Sequence, residues 1–288
     1  MSRGLDHAIH AVRDLDAAAD FYSRLGFTVG ARNRHPWGTH NRLVQLPGFF
    51  LEILTVGEPE KLPREGDVTN LFATLNAEFL TSGKEGLTGL VVEGHDPAGE
   101  HRAFEQAGFG GIPLFHFSRK GKRPDGSDTE VGFDIAFARY AVSPRAAFFT
   151  CKQTHPQNFW SPEMQRHVNG ARAISAAVLV ADNPSDHYIF LQTLAGVRDV
   201  QATSRGLTIV TARGTILALD PRSFRDTFGM DGPRDEGLRI GALVFSVTDL
   251  AATRNVLERN GVGPSDQHGR LVVSGKPARG AVIAFEAS

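Results

Sequence analysis

Apolar and polar positions alternate in short runs along the chain, and four of these runs continue the same way. Each is an apolar strand-like stretch, then an Asp, then an amphipathic segment of about three turns, then a glycine. "AIHAVRDLDAAADFYSRLGF" carries it from Asp14 to Gly26, "LVVEGHDPAGEHRAFEQAGF" from Asp96 to Gly108, and "ALVFSVTDLAATRNVLERNGV" from Asp249 to Gly261. A longer copy, "AAVLVADNPSDHYIFLQTLAGV", runs from Asp182 to Gly196. In each, Asp is expected to accept from the free amides of the first helical turn, and Gly to take the left-handed C-terminal turn. The apolar stripe, Leu15, Ala18, Tyr22 and Leu25 in the first copy, would face a sheet. Strand signals follow every helix: "RLVQL" and "FFLEILTV", then "PLFHFSR", "VGFDIAFAR" and "AAFFTCKQ", then "DVQATS", "LTIVTA" and "TILALD", and last "RLVVSG" and "AVIAFEA". One helix to about three strands is a β-α-β-β-β module of an α+β protein. Strict strand-helix alternation, and with it a doubly wound parallel sheet, is excluded.

Two long connections separate the modules. Residues 58–85 predict a turn-rich start and a helix around Leu71 to Leu80, and residues 155–172 a turn and a short helix. The chain therefore divides into two module pairs, 1–165 and 166–288. Composition fits a soluble protein with an adequate core, with 41% apolar residues in 288. Lys and Arg number 31 against 32 Asp and Glu with no long single-sign block, so neither nucleic acid nor an anionic membrane is an expected partner. A small molecule is. No signal-peptide core or membrane-length apolar run is present, and a cytoplasmic address is expected. Cys151 is the single cysteine, which excludes an intrachain disulfide and a thiolate zinc cluster. The sequence also lacks a phosphate loop, a nucleophile elbow and a dinucleotide fingerprint. The basic stretch at 118–128 reads as a solvated hairpin tip.

The four modules, with "LDHAIHAVRDLDAAADFYSRLGF", "RHPWGTHNRLVQLPGFFLEIL" and "FFTCKQTHPQNFW" as the most specific segments, resemble the vicinal oxygen chelate superfamily and its glyoxalase-like branch over essentially the whole chain. The resemblance implies four modules paired into two half-barrel domains of the glyoxalase/bleomycin resistance/dioxygenase kind. It also implies a divalent ion (Zn, Ni, Mn or Fe) that holds two adjacent substrate oxygens. Reaction type does not follow from this fold.

In the superfamily pattern a metal ligand lies on the first strand of a module and another on its last; His7 and Glu52 occupy those positions. Imidazole and carboxylate suit such an ion, and the alternative is a buried charge-assisted pair without metal. His10, three residues on, falls on the opposite strand face and packs against the helix. The second module aligns Gly89 with His7 and Cys151 with Glu52, neither a conventional hard ligand. Strand parity beyond Cys151 brings in Gln153 and His155, so the ligand set is either His7, Glu52, Gln153 and waters, or incomplete. In "RHPWGTHNR", Trp37 offers an aromatic wall and His40 and Asn41 offer donors to a substrate carbonyl; the alternative is a turn feeding the next strand. Asn158 and Trp160 read as an anchor for the linker. Ala177 and Ala242 stand where His7 does in the later modules, so the C-terminal half is expected to hold no metal, unlike ring-cleaving dioxygenases of similar build.

The expected function is a metal-dependent lyase or isomerase acting on a small molecule with adjacent oxygens, with Glu52 available as the base. Alternatives are a metal-free binding or sequestering protein and an extradiol-type dioxygenase. A homodimer is left open.

Overall fold

The structure is a computed structural model that describes residues 2–63, 70–122, 128–275 and 278–288. The tip of the basic hairpin at 118–128 and part of the turn-rich 58–85 connection lie outside the described residues. The first module is β1 (Leu5–Ala11), α1 (Leu15–Arg24), β2 (Asn33–Arg34), β3 (Thr39–Leu46) and β4 (Phe49–Val56). After α2 (Asn70–Thr81), the second is β5 (Gly86–Glu93), α3 (Pro97–Gln106), β6 (Phe115–Lys122), β7 (Asp128–Phe137) and β8 (Ala147–Gln153). A single helical turn, α4 (Pro156–Phe159), leads to the third: β9 (Ala171–Val180), α5 (Tyr188–Ala195), β10 (Gln201–Thr203), β11 (Gly206–Val210) and β12 (Thr215–Leu219). Then α6 (Pro221–Phe228) precedes β13 (Arg239–Val247), α7 (Leu250–Arg259), β14 (Ser265–Gln267), β15 (Arg270–Val273) and β16 (Val282–Ala287). All four β-α-β-β-β modules are present.

Helix caps show how closely the repeat holds. The Asp14 carboxylate accepts from Asp16 and Ala17 N–H at 3.1 and 3.0 Å, and Asp249 caps α7 the same way at 2.8 and 3.0 Å. Asp96 makes no side-chain cap bond; Glu100 Oε1 accepts from His95 N–H at 2.8 Å instead. In the third module the cap moves one residue on, to Asn183, which accepts from Ser185 N–H at 3.3 Å and opens a 3-10 turn, Pro184–His187, ahead of α5.

Each module pair forms one eight-stranded sheet, in the order β2-β3-β4-β1-β5-β8-β7-β6 or β10-β11-β12-β9-β13-β16-β15-β14. First strands meet antiparallel at the centre, β1 on β5 and β9 on β13, and each first strand runs parallel to the last strand of its own module. The expected 165/166 division falls in the connection between β8 and β9.

The two sheets and the four module helices share one core. Leu5, Ala8, Phe21 and Phe49 of the first half pack in it with Phe190, Leu243, Phe245 and Phe285 of the second. Hydrogen bonds cross between the halves: Asn169 Nδ2 to Leu25 O at 2.8 Å, Arg239 Nη1 to Arg145 O at 2.8 Å, and Arg213 Nη2 to Glu93 Oε1 at 2.7 Å. His10 belongs to this joint and not to the half-barrel interior. Its Nε2–H donates to Arg279 O at 2.9 Å, which leaves Nδ1 to accept from the Tyr22 hydroxyl at 2.7 Å. Burial pushes its pKa down to about 4.

The faces turned away from this core differ. In the second sheet, Ala176, Val178, Ala242, Val244 and Ala284 are covered by Phe224 and Phe228 of α6. Gly241 leaves room for the Phe224 ring, since a Cβ there would lie 2.7 Å from ring carbon Cε2. The first sheet is a half-barrel partly roofed by Phe72 of α2, and a cavity remains.

Candidate functional site

The cavity of the first half-barrel encloses about 880 Å3 including its open mouth. Of its nineteen lining residues nine are Phe or Trp, so the wall is aromatic. His7, Trp37, Asn41, Glu52 and Cys151 are brought together on it; His40, Gln153 and His155 are placed elsewhere.

His7 reaches the cavity through an irregularity. The β1–β5 register shifts between Leu5 and His7, so that Leu5 packs in the shared core while His7 turns to the opposite face. Asp6 is carried to a buried position beside it, 3% exposed, and accepts from His7 Nδ1–H at 2.5 Å. The bond fixes the tautomer and leaves the Nε2 lone pair free. The ring stacks on Phe50, centroids 4.3 Å apart. Asp6, His7 and Cys151 form the one group of three or more metal-capable side chains among the described residues with ligand atoms all within 4.8 Å of one another. Burial, with the charges of Asp6 and Glu52 nearby, pushes the Cys151 thiol well up, so it stays protonated at neutral pH.

Glu52 lies on β4, where its strand partner in β1 is Ile9. Its Oε1 accepts from Asn41 Nδ2 at 2.6 Å, and His35 Nε2 stands 3.9 Å away. Asn41 Oδ1 accepts from Asn33 Nδ2 at 3.1 Å, and Asn33 Oδ1 accepts from Arg119 Nη2 at 3.1 Å. A chain of hydrogen bonds thus descends one wall from Arg119 at the rim to Glu52. His35 is stacked on Trp37 at 4.7 Å with Nδ1 engaged by the Thr39 hydroxyl at 2.9 Å, and burial pushes its pKa down. His40 takes the other face of β3, where Nε2 meets Glu58 at 3.0 Å. Gln153 borders a separate polar pocket with Asp6, Glu93 and Arg213, its Oε1 buried without a hydrogen-bond partner among the described residues. His155 Nδ1 bonds to the Thr154 hydroxyl at 3.0 Å.

Sequence reasoning passed over Asp6, His35 and Asn33. His35 was within reach: counting back from Leu43 by twos selects Asn41 and rejects His40, which leaves His35 as the imidazole of that loop. The third module needs a correction of one residue. With Asn183 as its cap, the counterpart of His7 is Ala176, on the covered far face, whereas Ala177 packs into the shared core. Gly89 offers no ligand for a steric reason as well, since a Cβ there would meet Ile9 Cδ1 at 2.3 Å.

Residues 5–195 match the family described as a glyoxalase-like domain. The chain belongs to that family. The glyoxalase-like chain is also similar in structure to a hypothetical protein from Staphylococcus aureus, with 12% identity, 100% of each chain covered and a TM-score of 0.69. A mutant of 4-hydroxymandelate synthase from Streptomyces coelicolor aligns at 12% identity and TM-score 0.57 over 100% of this chain and 94% of that one. A xylose isomerase-like TIM barrel/4-hydroxyphenylpyruvate dioxygenase fusion protein aligns at 11% identity and TM-score 0.55, covering 99% of this chain and 48% of its own. At these identities the likeness establishes the vicinal oxygen chelate fold and nothing of the chemistry. A search of curated proteins finds no match to the sequence. Among the described residues no helix is long and apolar enough to cross a membrane.

A divalent ion can be tested against these side chains. His7 has Nδ1 committed to Asp6 and Nε2 free; Glu52 has one oxygen committed to Asn41 and the other without a partner among the described residues. Donors oriented from behind in this way are typical of metal ligands, so the chemistry of each of the two side chains suits a divalent ion. Asp6 Oδ1 and His7 Nδ1 do not ligate an ion between them as they stand, because they are hydrogen-bonded to each other at 2.5 Å.

Proposed function

We propose that this cavity is the active site of a glyoxalase-like enzyme that moves a proton at a carbon beside two adjacent oxygens of a small molecule, in an isomerase or lyase reaction. The observation that carries the reading is His7, with its Nδ1–H held by buried Asp6 and its Nε2 lone pair free at an aromatic cavity that also contains Glu52. A divalent ion (Zn, Ni, Mn or Fe) held by His7 and Glu52 would polarise a substrate oxygen. Glu52 would accept the proton on the oxygen that Asn41 leaves free only when that oxygen is not on the ion, while the Asn41 amide steadies the carboxylate. Trp37 closes the wall, and the phenylalanines exclude water from the carbanion-like stage. Cys151 serves as wall, and Gln153, His40 and His155 have no chemical role in this reading.

Metal analysis of the purified protein, after loading with each of the four metals and dialysis, tests it. One ion per chain is expected in the wild type and none in His7→Ala or Glu52→Gln. Asp6→Asn should weaken retention by roughly 10- to 100-fold, since it releases the imidazole from its tautomer. A wild type that retains no metal overturns the metal-dependent enzyme. The aromatic wall then favours the second reading, a metal-free binding or sequestering protein.

A further inference from the structure

The cavity's mouth carries arginines that form no ion pair among the described residues. Arg119 on β6 lines both the cavity and an adjoining open groove, where Arg34 of β2 and Lys61 join it. Lys61 is neutralised by Glu58 at 2.5 Å, and His40 bonds the same carboxylate from inside. Arg34 and Arg119 form no ion pair among the described residues; the Arg119 guanidinium meets only the neutral Asn33 amide, at 3.1 Å. Coulomb repulsion from Arg119 also helps hold His35 below its ordinary pKa, so this cation acts on the cavity interior and not only on solvent.

A second observation points the same way. The indole N–H of Trp37, a residue of the cavity wall, is buried with no acceptor among the described residues. Phe115 and Phe117 meet its ring edge-on at 5.6 and 4.9 Å, and His35 covers its face. A buried donor without a partner costs free energy that an incoming acceptor removes. Inside, the Glu52 carboxylate is already bonded to Asn41 and the Asp6 carboxylate to His7. The cavity is thus apolar and aromatic along its length, acidic at Glu52, and supplied at the rim with a guanidinium that has no ion-pair partner among the described residues.

We propose that the ligand of this cavity is an aromatic or similarly flat apolar anion, its ring against the phenylalanine wall and its anionic group at Arg119, with Arg34 adding long-range attraction. The inference rests on the reading of this cavity as the ligand site and adds the charge class of what enters it. A guanidinium at a rim suits a carboxylate because its fork matches the two oxygens, while the aromatic wall supplies area that a small inorganic anion would not use.

Calorimetric titration of the full-length protein with 2-naphthoate and its neutral isostere 2-naphthamide tests this. The naphthoate should bind about tenfold tighter or more, as a charge-assisted hydrogen bond supplies, and its advantage should shrink with added salt. Arg119→Gln should bring the two probes within about threefold by weakening the anion alone, whereas Arg34→Gln should take a smaller part of the preference. Equal binding of the two probes by the wild type, no binding of either, or an anion preference that survives Arg119→Gln overturns the proposal. Metal still retained through His7 and Glu52 in that event would leave the catalytic reading standing.

Discussion

The two halves have the same strand order and the same central antiparallel pair, yet one keeps a hollow and the other is filled. Both insert a helix between their modules: α2 follows β4, and α6 follows β12. In the second half, Phe224 and Phe228 of α6 seat on a face of Ala and Val. In the first, α2 lends Phe72 to the roof, while the strands supply His7, Glu52 and Asn41 to the interior. Counting from the caps Asp14 and Asp249, His7 corresponds to Ala242 and His10 to Phe245. The difference teaches that a duplicated sheet keeps its topology through shared-core residues, while the face turned away from that core is free to become either packing or chemistry.

The comparison is most strongly broken by opening the filled half. Phe224→Ala should cost about 3–5 kcal/mol in urea unfolding, because a fully buried ring leaves a cavity that the sheet cannot close. Phe115→Ala, on the half-buried wall of the open half, should cost about 1 kcal/mol. Equal costs would mean that the two faces are packed alike.

Acid sharpens the contrast at His10 and Phe245. The folded-state pKa of His10, about 4, lies below the value near 6.5 of an unfolded histidine, so the unfolded chain binds more protons between them. Stability contributed by neutral His10 is complete above about pH 6.5 and is lost as pH falls toward 4, amounting to about 2–3 kcal/mol by pH 4.5. Urea unfolding of wild type and His10→Phe at pH 7.5 and 4.5 isolates this part. A variant with the same acid slope as wild type would remove His10 from the account.

The smallest effect separates modules within the first half. Asp14→Ala should cost about 1 kcal/mol, as loss of a bonded cap does, and Asp96→Ala only a few tenths, since its side chain makes no cap bond.

Much of this was legible in the chain because the repeat is written in hydrophobic period and in Asp and Gly punctuation. The module helices, the longer strands and the helix near Leu71 to Leu80 follow from it. What escaped has physical reasons. Asp6 was hidden by the irregularity in β1, since regular alternation puts neighbours on opposite faces and only a register shift brings Asp6 to His7. The helix α6 was not anticipated, because "PRSFRDTF" is polar outside its two Phe positions, although Asp220 followed by Pro221 is a helix-start signal. His7 and Glu52 came from the family resemblance; that they share a cavity is a matter of long-range strand pairing, which spacing along the chain does not reveal.

The core common to both halves cannot close until the second half has been synthesised. The first sheet ends at Gln153, and the last strand of the second ends at Ala287. At roughly 5 to 20 residues per second, the ribosome spends on the order of 10 s between them. Throughout that interval the apolar back of the first half, including Phe21, Leu25 and Phe49, has no second sheet to cover it. The nascent chain is then most exposed to aggregation and most in need of a chaperone, before β16 joins the sheet that covers it.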